Sequence, residues 1–216
     1  MKQAWRFTFL AVGIVVAGHD TMAQATQDAP TVEAAKKAWS FEASAFTYLL
    51  PDERDYAQPT FMADRGRLHL EARYNYEGLR AGSAWIGYNW SFGEKVTLDL
   101  TPMVGGVFGD TTGIAPGYKA LLSWRKLELS SESEYVFDTG SSPDSFFYTW
   151  SELAWAPADW CRLGLVVQRT KVYKTDFDIQ RGFLVGFAYK RATFTTYVFN
   201  PDASQPTVVL GAGFSF

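Results

Sequence analysis

The sequence predicts an all-β chain, an up-and-down antiparallel transmembrane β-barrel of about twelve strands, with ten as the alternative. Three observations predict it. Apolar and polar residues alternate with a period of two from Trp39 to the end. Short turns and longer loops take turns along the chain. Aromatic residues reach 17%, yet no run beyond the N-terminus is long and apolar enough to be a spanning helix. In a barrel wall, lipid-facing and lumen-facing residues alternate, so apolar character never accumulates in one window.

Residues 1–25 read as a cleaved secretory signal. Lys2 and Arg6 give a charged start, Phe7 to Gly18 an apolar stretch, and Ala23-Gln24-Ala25 a small-x-small cleavage pattern. The apolar stretch is well short of the roughly 20 residues a spanning helix needs. Residues 26–37 are polar and read as a short periplasmic segment, which leaves 38–216 for the barrel. Without Lys2, Arg6 and Asp20 the chain keeps 18 basic and 22 acidic residues, a net charge of −4. That balance lacks the basic excess of a nucleic-acid binder. Cys161 stands alone and cannot form an internal disulfide; its apolar context suits a small core or lipid-facing residue.

The alternation divides into strands at about 38–50, 57–64, 67–77, 80–92, 96–108, 113–124, 127–138, 145–156, 159–171, 177–190, 192–200 and 206–216. In the third, Leu68, Leu70, Ala72, Tyr74 and Tyr76 interleave with Arg67, His69, Glu71, Arg73 and Asn75. One set of connections is short: Arg65-Gly66, Gly93-Glu94-Lys95, Arg125-Lys126, Ala156-Pro157-Ala158 and Lys190-Arg191. The other set, at 51–56, 109–115, 139–144, 172–176 and 201–205, is longer and rich in Gly, Asp, Pro, Ser and Thr, with Glu77-Gly78-Leu79 as its short member. Short turns on one rim and longer loops on the other match the two ends of a membrane barrel. A soluble β-sandwich or lipocalin-like barrel is the alternative, but it would place the apolar set inward.

The signal, the alternating strands and the terminal Val209-Leu210-Gly211-Ala212-Gly213-Phe214-Ser215-Phe216 resemble bacterial outer-membrane β-barrel proteins as a class. The resemblance is architectural and covers nearly all of the chain after the signal. It implies an outer-membrane location with outer-membrane lipid as surroundings. It also implies that Phe216 is the assembly signal read by the barrel-assembly machinery during insertion.

Turns of two or three residues fix register. They pair Trp124 with Leu127, Lys119 with Glu132, Phe92 with Val96, Asn89 with Asp99, Glu152 with Arg162 and His69 with Met62. Aromatics on the outward set form two bands. Trp90, Phe92, Trp124, Trp155, Tyr189, Phe214 and Phe216 lie at the short-turn end; Tyr74, Tyr76, Tyr135, Phe137 and Phe147 lie at the other. Arg169, Lys171 and Arg181 also fall on the outward set, at the loop rim where long cations can snorkel. The lumen gathers Glu42, Arg67, His69, Glu71, Arg73, Asp99, Lys119, Glu128, Glu132, Glu134, Glu152 and Arg162, with Asn75, Asn89, Tyr148, Trp150 and Gln168. This network either lines a pore or braces the barrel.

His69 is the sole histidine after residue 25, with no serine placed across from it, and the carboxylates have Arg67, Arg73, Lys119 and Arg162 as partners. No zinc spacing, phosphate loop or dinucleotide fingerprint is present, so no cofactor or metal is expected and no enzyme. The leading expectation is a narrow passive pore for small polar or ionic solutes. A structural or adhesive barrel acting through its extracellular loops is the alternative, and an outer-membrane hydrolase the less favoured one.

Overall fold

A computed structural model describes residues 8–10, 13–15, 38–51, 53–140, 145–169 and 179–216. Near the N-terminus, Thr8–Leu10 and Gly13–Val15 pair as a short antiparallel hairpin. The remaining described residues form twelve strands: β1 (Ser40–Leu49), β2 (Tyr56–Arg65), β3 (Leu68–Tyr74), β4 (Ala81–Tyr88, resumed beyond Asn89 as Trp90–Phe92), β5 (Val96–Gly109), β6 (Gly113–Trp124), β7 (Leu127–Asp138), β8 (Phe146–Ala158), β9 (Cys161–Arg169), β10 (Gln180–Tyr189), β11 (Ala192–Phe199) and β12 (Thr207–Ser215). Each pairs antiparallel with its chain neighbours, and β12 pairs with β1, so the sheet closes. At the seam Phe41 N donates to Phe216 O at 3.1 Å, Phe216 N donates to Phe41 O at 3.0 Å, and the two rings stack at 5.7 Å.

The outer face is apolar and uncovered. Leu165 is 61% exposed, Ile114 59% and Phe194 57%, far more than a water-facing surface tolerates as a continuous belt. Trp90, Phe92, Trp124, Trp155, Tyr189, Phe214 and Phe216 are exposed at the short-turn end, and Tyr74, Tyr135, Phe137 and Phe147 at the loop end. Tyr76 departs from its expected outward place and is buried in the lumen. Strand β3 stops at Tyr74, and Asn75 takes a φ of 60°, which breaks the alternation and turns Tyr76 and Glu77 inward. At the loop rim, Arg181 reaches Asp202 at 3.4 Å and Arg169 ends β9, while Lys171 lies outside the described residues.

Inside, bulky side chains lie over glycines on the neighbouring strand. Trp85 faces Gly105 and Phe46 faces Gly211, and a Cβ at either glycine would run into the ring opposite. Such large-on-small pairing fills a narrow barrel without spreading its wall. One sector of the inner wall, on β1, β8 and β11, is aromatic, with Phe46, Tyr48, Phe146, Tyr148, Trp150, Tyr197 and Phe199 packed together. The facing sector is charged at the same depth: Trp150 pairs with Glu132 and Tyr148 with Glu134.

Three registers differ from expectation. Arg65 pairs with Leu68, so the first short turn is Gly66-Arg67, and His69 faces Asp64 rather than Met62. The turn opens on Gly66 because its φ of 62° costs a glycine little. Phe92 pairs with Leu98 rather than Val96, and Ser91 rather than Asn89 meets Asp99. Asn89 interrupts β4: its backbone N still donates to Arg67 O at 2.8 Å, and its side chain donates to Asp64 at 2.7 Å and accepts from Thr101 at 2.6 Å. Glu152 pairs with Val166, because β8 runs through Pro157 to a turn at Asp159-Trp160. The extra residue there forms a bulge, a place in a sheet where a residue without an N–H is tolerated. The expected pairs Trp124–Leu127 and Lys119–Glu132 are as built, and the 109–115 loop is shorter than expected, since only residues 110–112 separate β5 from β6.

If lipid covers the outer face, an arginine at Leu165 must be buried in hydrocarbon. Leu165→Arg is expected to destabilise the barrel by roughly 2–4 kcal/mol, measured by denaturant unfolding in lipid vesicles. An unchanged midpoint would place Leu165 outside the apolar slab.

Candidate functional site: the charged lumen

Strand alternation puts His69, Glu71 and Arg73 on one inner stripe of β3, and Glu128, Ser130, Glu132 and Glu134 on one of β7. Strands β4, β5 and β6 lie between these stripes on one side of the wall, so contact between them must cross the lumen.

Arg73 makes that crossing. Its Nε donates to Glu71 Oε1 at 2.7 Å, Nη1 donates to Glu134 Oε2 at 2.8 Å, and Nη2 lies 2.7 Å from Glu132 Oε1. Nη1 also stands 3.8 Å from Glu77 Oε1. The guanidinium sits over the rings of Tyr76, at 4.3 Å, and Trp85, at 4.6 Å. A planar cation with five N–H donors suits such a site, since it serves several carboxylates while its faces take aromatic contact. Lys119 from β6 bonds to the other oxygen of Glu71 and lies 3.9 Å from Glu132. The Tyr76 hydroxyl is 2.9 Å from Glu132 Oε1 and 2.9 Å from the Tyr148 hydroxyl on β8.

A second cluster centres on Glu152. Its Oε1 accepts from Trp150 Nε1 at 2.8 Å and from the Tyr197 hydroxyl at 2.9 Å, and its Oε2 accepts from Arg162 at 2.8 Å. Glu152 and Arg162 are thus ion-paired although they are not cross-strand partners, because the arginine is long enough to reach along the inner face. Above them Trp150 meets Phe46 of β1 at 5.6 Å, a second contact across the lumen.

His69 lies between two carboxylates, with Nδ1 2.9 Å from Asp64 and Nε2 3.1 Å from Glu71. No serine or cysteine hydroxyl or thiol among the described residues is bonded to it, so the nucleophile–base pair of a hydrolase is not assembled there.

The structure buries Glu42, His69, Glu71, Arg73, Lys119, Glu128, Glu132, Glu134, Glu152, Arg162, Tyr148, Trp150 and Gln168, and leaves Asp99, Asn75 and Asn89 half-buried. Arg67 is not part of the lumen: as the second residue of the Gly66-Arg67 turn it is exposed and bonds to the Tyr88 hydroxyl at 2.9 Å. Three participants escaped the sequence reading. Tyr76 and Glu77 are turned in by Asn75, and Tyr197 shares the inward parity of Thr193 and Thr195, which was the signal available for it.

Among the described buried side chains, seven carboxylates (Glu42, Glu71, Glu77, Glu128, Glu132, Glu134, Glu152) face three obligate cations, Arg73, Lys119 and Arg162. The lumen is acidic.

No protein-family model matches the sequence, and no curated protein matches it. Among solved structures, it is similar to a KdgM porin, determined in complex with disordered oligogalacturonate. The two are 11% identical with a TM-score of 0.52, and the match covers 82% of this chain and 99% of that chain. The two share the closed antiparallel barrel fold. At this identity the likeness carries the architecture and not the lining of the lumen.

Arg162→Met should leave Glu152 buried without its cation and cost about 3–5 kcal/mol. Adding Glu152→Gln should recover much of that loss, since the amide oxygen can still accept from Trp150 and Tyr197. Unfolding midpoints of the two variants in vesicles check this, and equal losses would show that the pair is not coupled.

Proposed function

We propose that this chain, after loss of residues 1–25, inserts into the bacterial outer membrane as a narrow, passive, non-enzymatic passage for small polar or ionic solutes, with a preference for cations. One observation carries the reading: a closed barrel of porin fold whose inner wall is polar and holds seven buried carboxylates against three cations. Rings of acidic side chains lower the free energy of a cation in a pore and raise that of an anion. Oligogalacturonate, the ligand of the similar porin, is polyanionic, so its passage does not transfer to a lumen of this sign. In this reading Phe216 serves as the assembly signal and the stacked Phe41–Phe216 seam is what insertion completes.

A second reading, a structural barrel that meets partners through its loops, is favoured by one specific feature. The rings of Phe46, Trp150, Tyr197 and Phe199 pack together inside the lumen and take up part of its cross-section.

Planar-bilayer recording separates the two. Refolded protein is expected to show small discrete steps, and a potassium chloride gradient should give a reversal potential on the potassium side. Glu128→Gln with Glu132→Gln and Glu152→Gln should move that potential toward zero. A barrel that is folded by heat-modifiable migration yet silent at every voltage would overturn the passage and leave the structural reading standing.

A further inference from the structure

We propose that Arg73 is the latch that closes this lumen, and that the inward loop 75–80 is the part it holds shut. This rests on the passage reading above. The loop is a folded piece rather than a slack connection. Asn75, at φ 60°, donates through its backbone N to Ala81 O at 2.8 Å and through Nδ2 to Ala57 O at 2.9 Å. Its Oδ1 accepts from the backbone N of Arg80 at 2.8 Å, and its carbonyl accepts from Gln58 at 2.9 Å. These bonds fix the base of the loop to β2 and β4. Its inner part, Tyr76 and Glu77, is held instead by groups across the lumen and by β4: Tyr76 by Glu132 and Tyr148, Glu77 by Ser83 at 2.6 Å and Trp85 at 3.2 Å.

Arg73 joins the inner part of this loop to β4 and β7. It touches carboxylates from three separate places: Glu71 on its own strand, Glu77 in the loop, and Glu132 with Glu134 on β7. It also packs on Tyr76 and Trp85. Of these four carboxylates, Glu71 and Glu132 have Lys119 as a second cation, whereas no other ion pair among the described residues reaches Glu77 or Glu134. Without Arg73, Glu77 and Glu134 would confront each other with no cation between them in a poorly screened interior. Their repulsion acts on the loop and on β7, which the guanidinium otherwise joins. The loop is the part able to move, because beyond its base it is tied to the adjacent wall only through one oxygen of Glu77, to Ser83 and Trp85. Arg73 therefore sets both the width of the passage and, by its single positive charge, part of its selectivity.

Two variants separate width from charge. Arg73→Gln removes the latch and makes the lumen more acidic; Arg73→Gln with Glu134→Gln removes the latch and leaves the net charge unchanged. Heat-modifiable migration selects folded protein, and the isoelectric double keeps the test usable if the single variant fails to fold. The single variant is expected to widen the single-channel step in potassium chloride by roughly twofold or more and to shift the reversal potential further toward potassium; the double, which loses the guanidinium's joining contacts but also the Glu77–Glu134 repulsion, should widen the step by less and leave that potential in place. Unchanged steps in folded variants beside a conducting wild type would overturn the assignment of Arg73 and leave the passage reading intact. A silent wild type would overturn the passage reading on which this one rests.

Discussion

A strand that faces lipid has no water to satisfy its N–H and C=O groups, so each must be bonded within the protein, and an open edge is not an option. Everything else in this structure follows from that demand. It forces β12 back onto β1, where Phe41 and Phe216 exchange two backbone hydrogen bonds and stack their rings. On the membrane reading it also explains why the apolar belt of Leu165, Ile114 and Phe194 can be left bare: lipid would cover the side chains once the backbone needs nothing from outside.

Closure then imposes an interior. Every second residue must point into a space of fixed width, and the chain fills it in two ways. In places rings lie over glycines, Trp85 over Gly105 and Phe46 over Gly211, so volume is matched pair by pair. Beside them, carboxylates and cations share hydrogen bonds. The second solution is the more demanding, since a buried charge costs several kcal/mol unless its bonds are complete. Glu71 meets that condition, with Arg73, Lys119 and His69 on its two oxygens.

Alternation made the strands and their faces legible, because period two is both the chemical pattern and the geometry of a pleated wall. The connections Arg125-Lys126 and Lys190-Arg191 were legible for the same reason. Register was harder wherever it depended on backbone conformation rather than on side-chain type. Gly66 rather than Arg65 opened a turn, Pro157 sat inside a bulged strand, and Asn89 interrupted β4. These events move the pairs by two residues or four, even numbers that leave inside and outside unchanged, so Glu152 and Arg162 still met. The one change of face came at Asn75, where a positive φ reverses parity; that is why Tyr76 was assigned to lipid and is found at the centre of the network.

The sign of the lumen sets what the network can be for. A bracing network gains nothing from surplus carboxylates: matched pairs, or apolar residues of the same size, would fill the space at least as well. Here the surplus is large, and one oxygen each of Glu77 and Glu134 has no hydrogen-bond partner among the described residues. Carboxylates held incompletely satisfied around a single arginine are poised to accept a mobile cation whenever that arginine shifts. Such an arrangement is costly as scaffolding and useful on a path for positive charge, which is the physical reason to read the interior as a passage rather than only as filling.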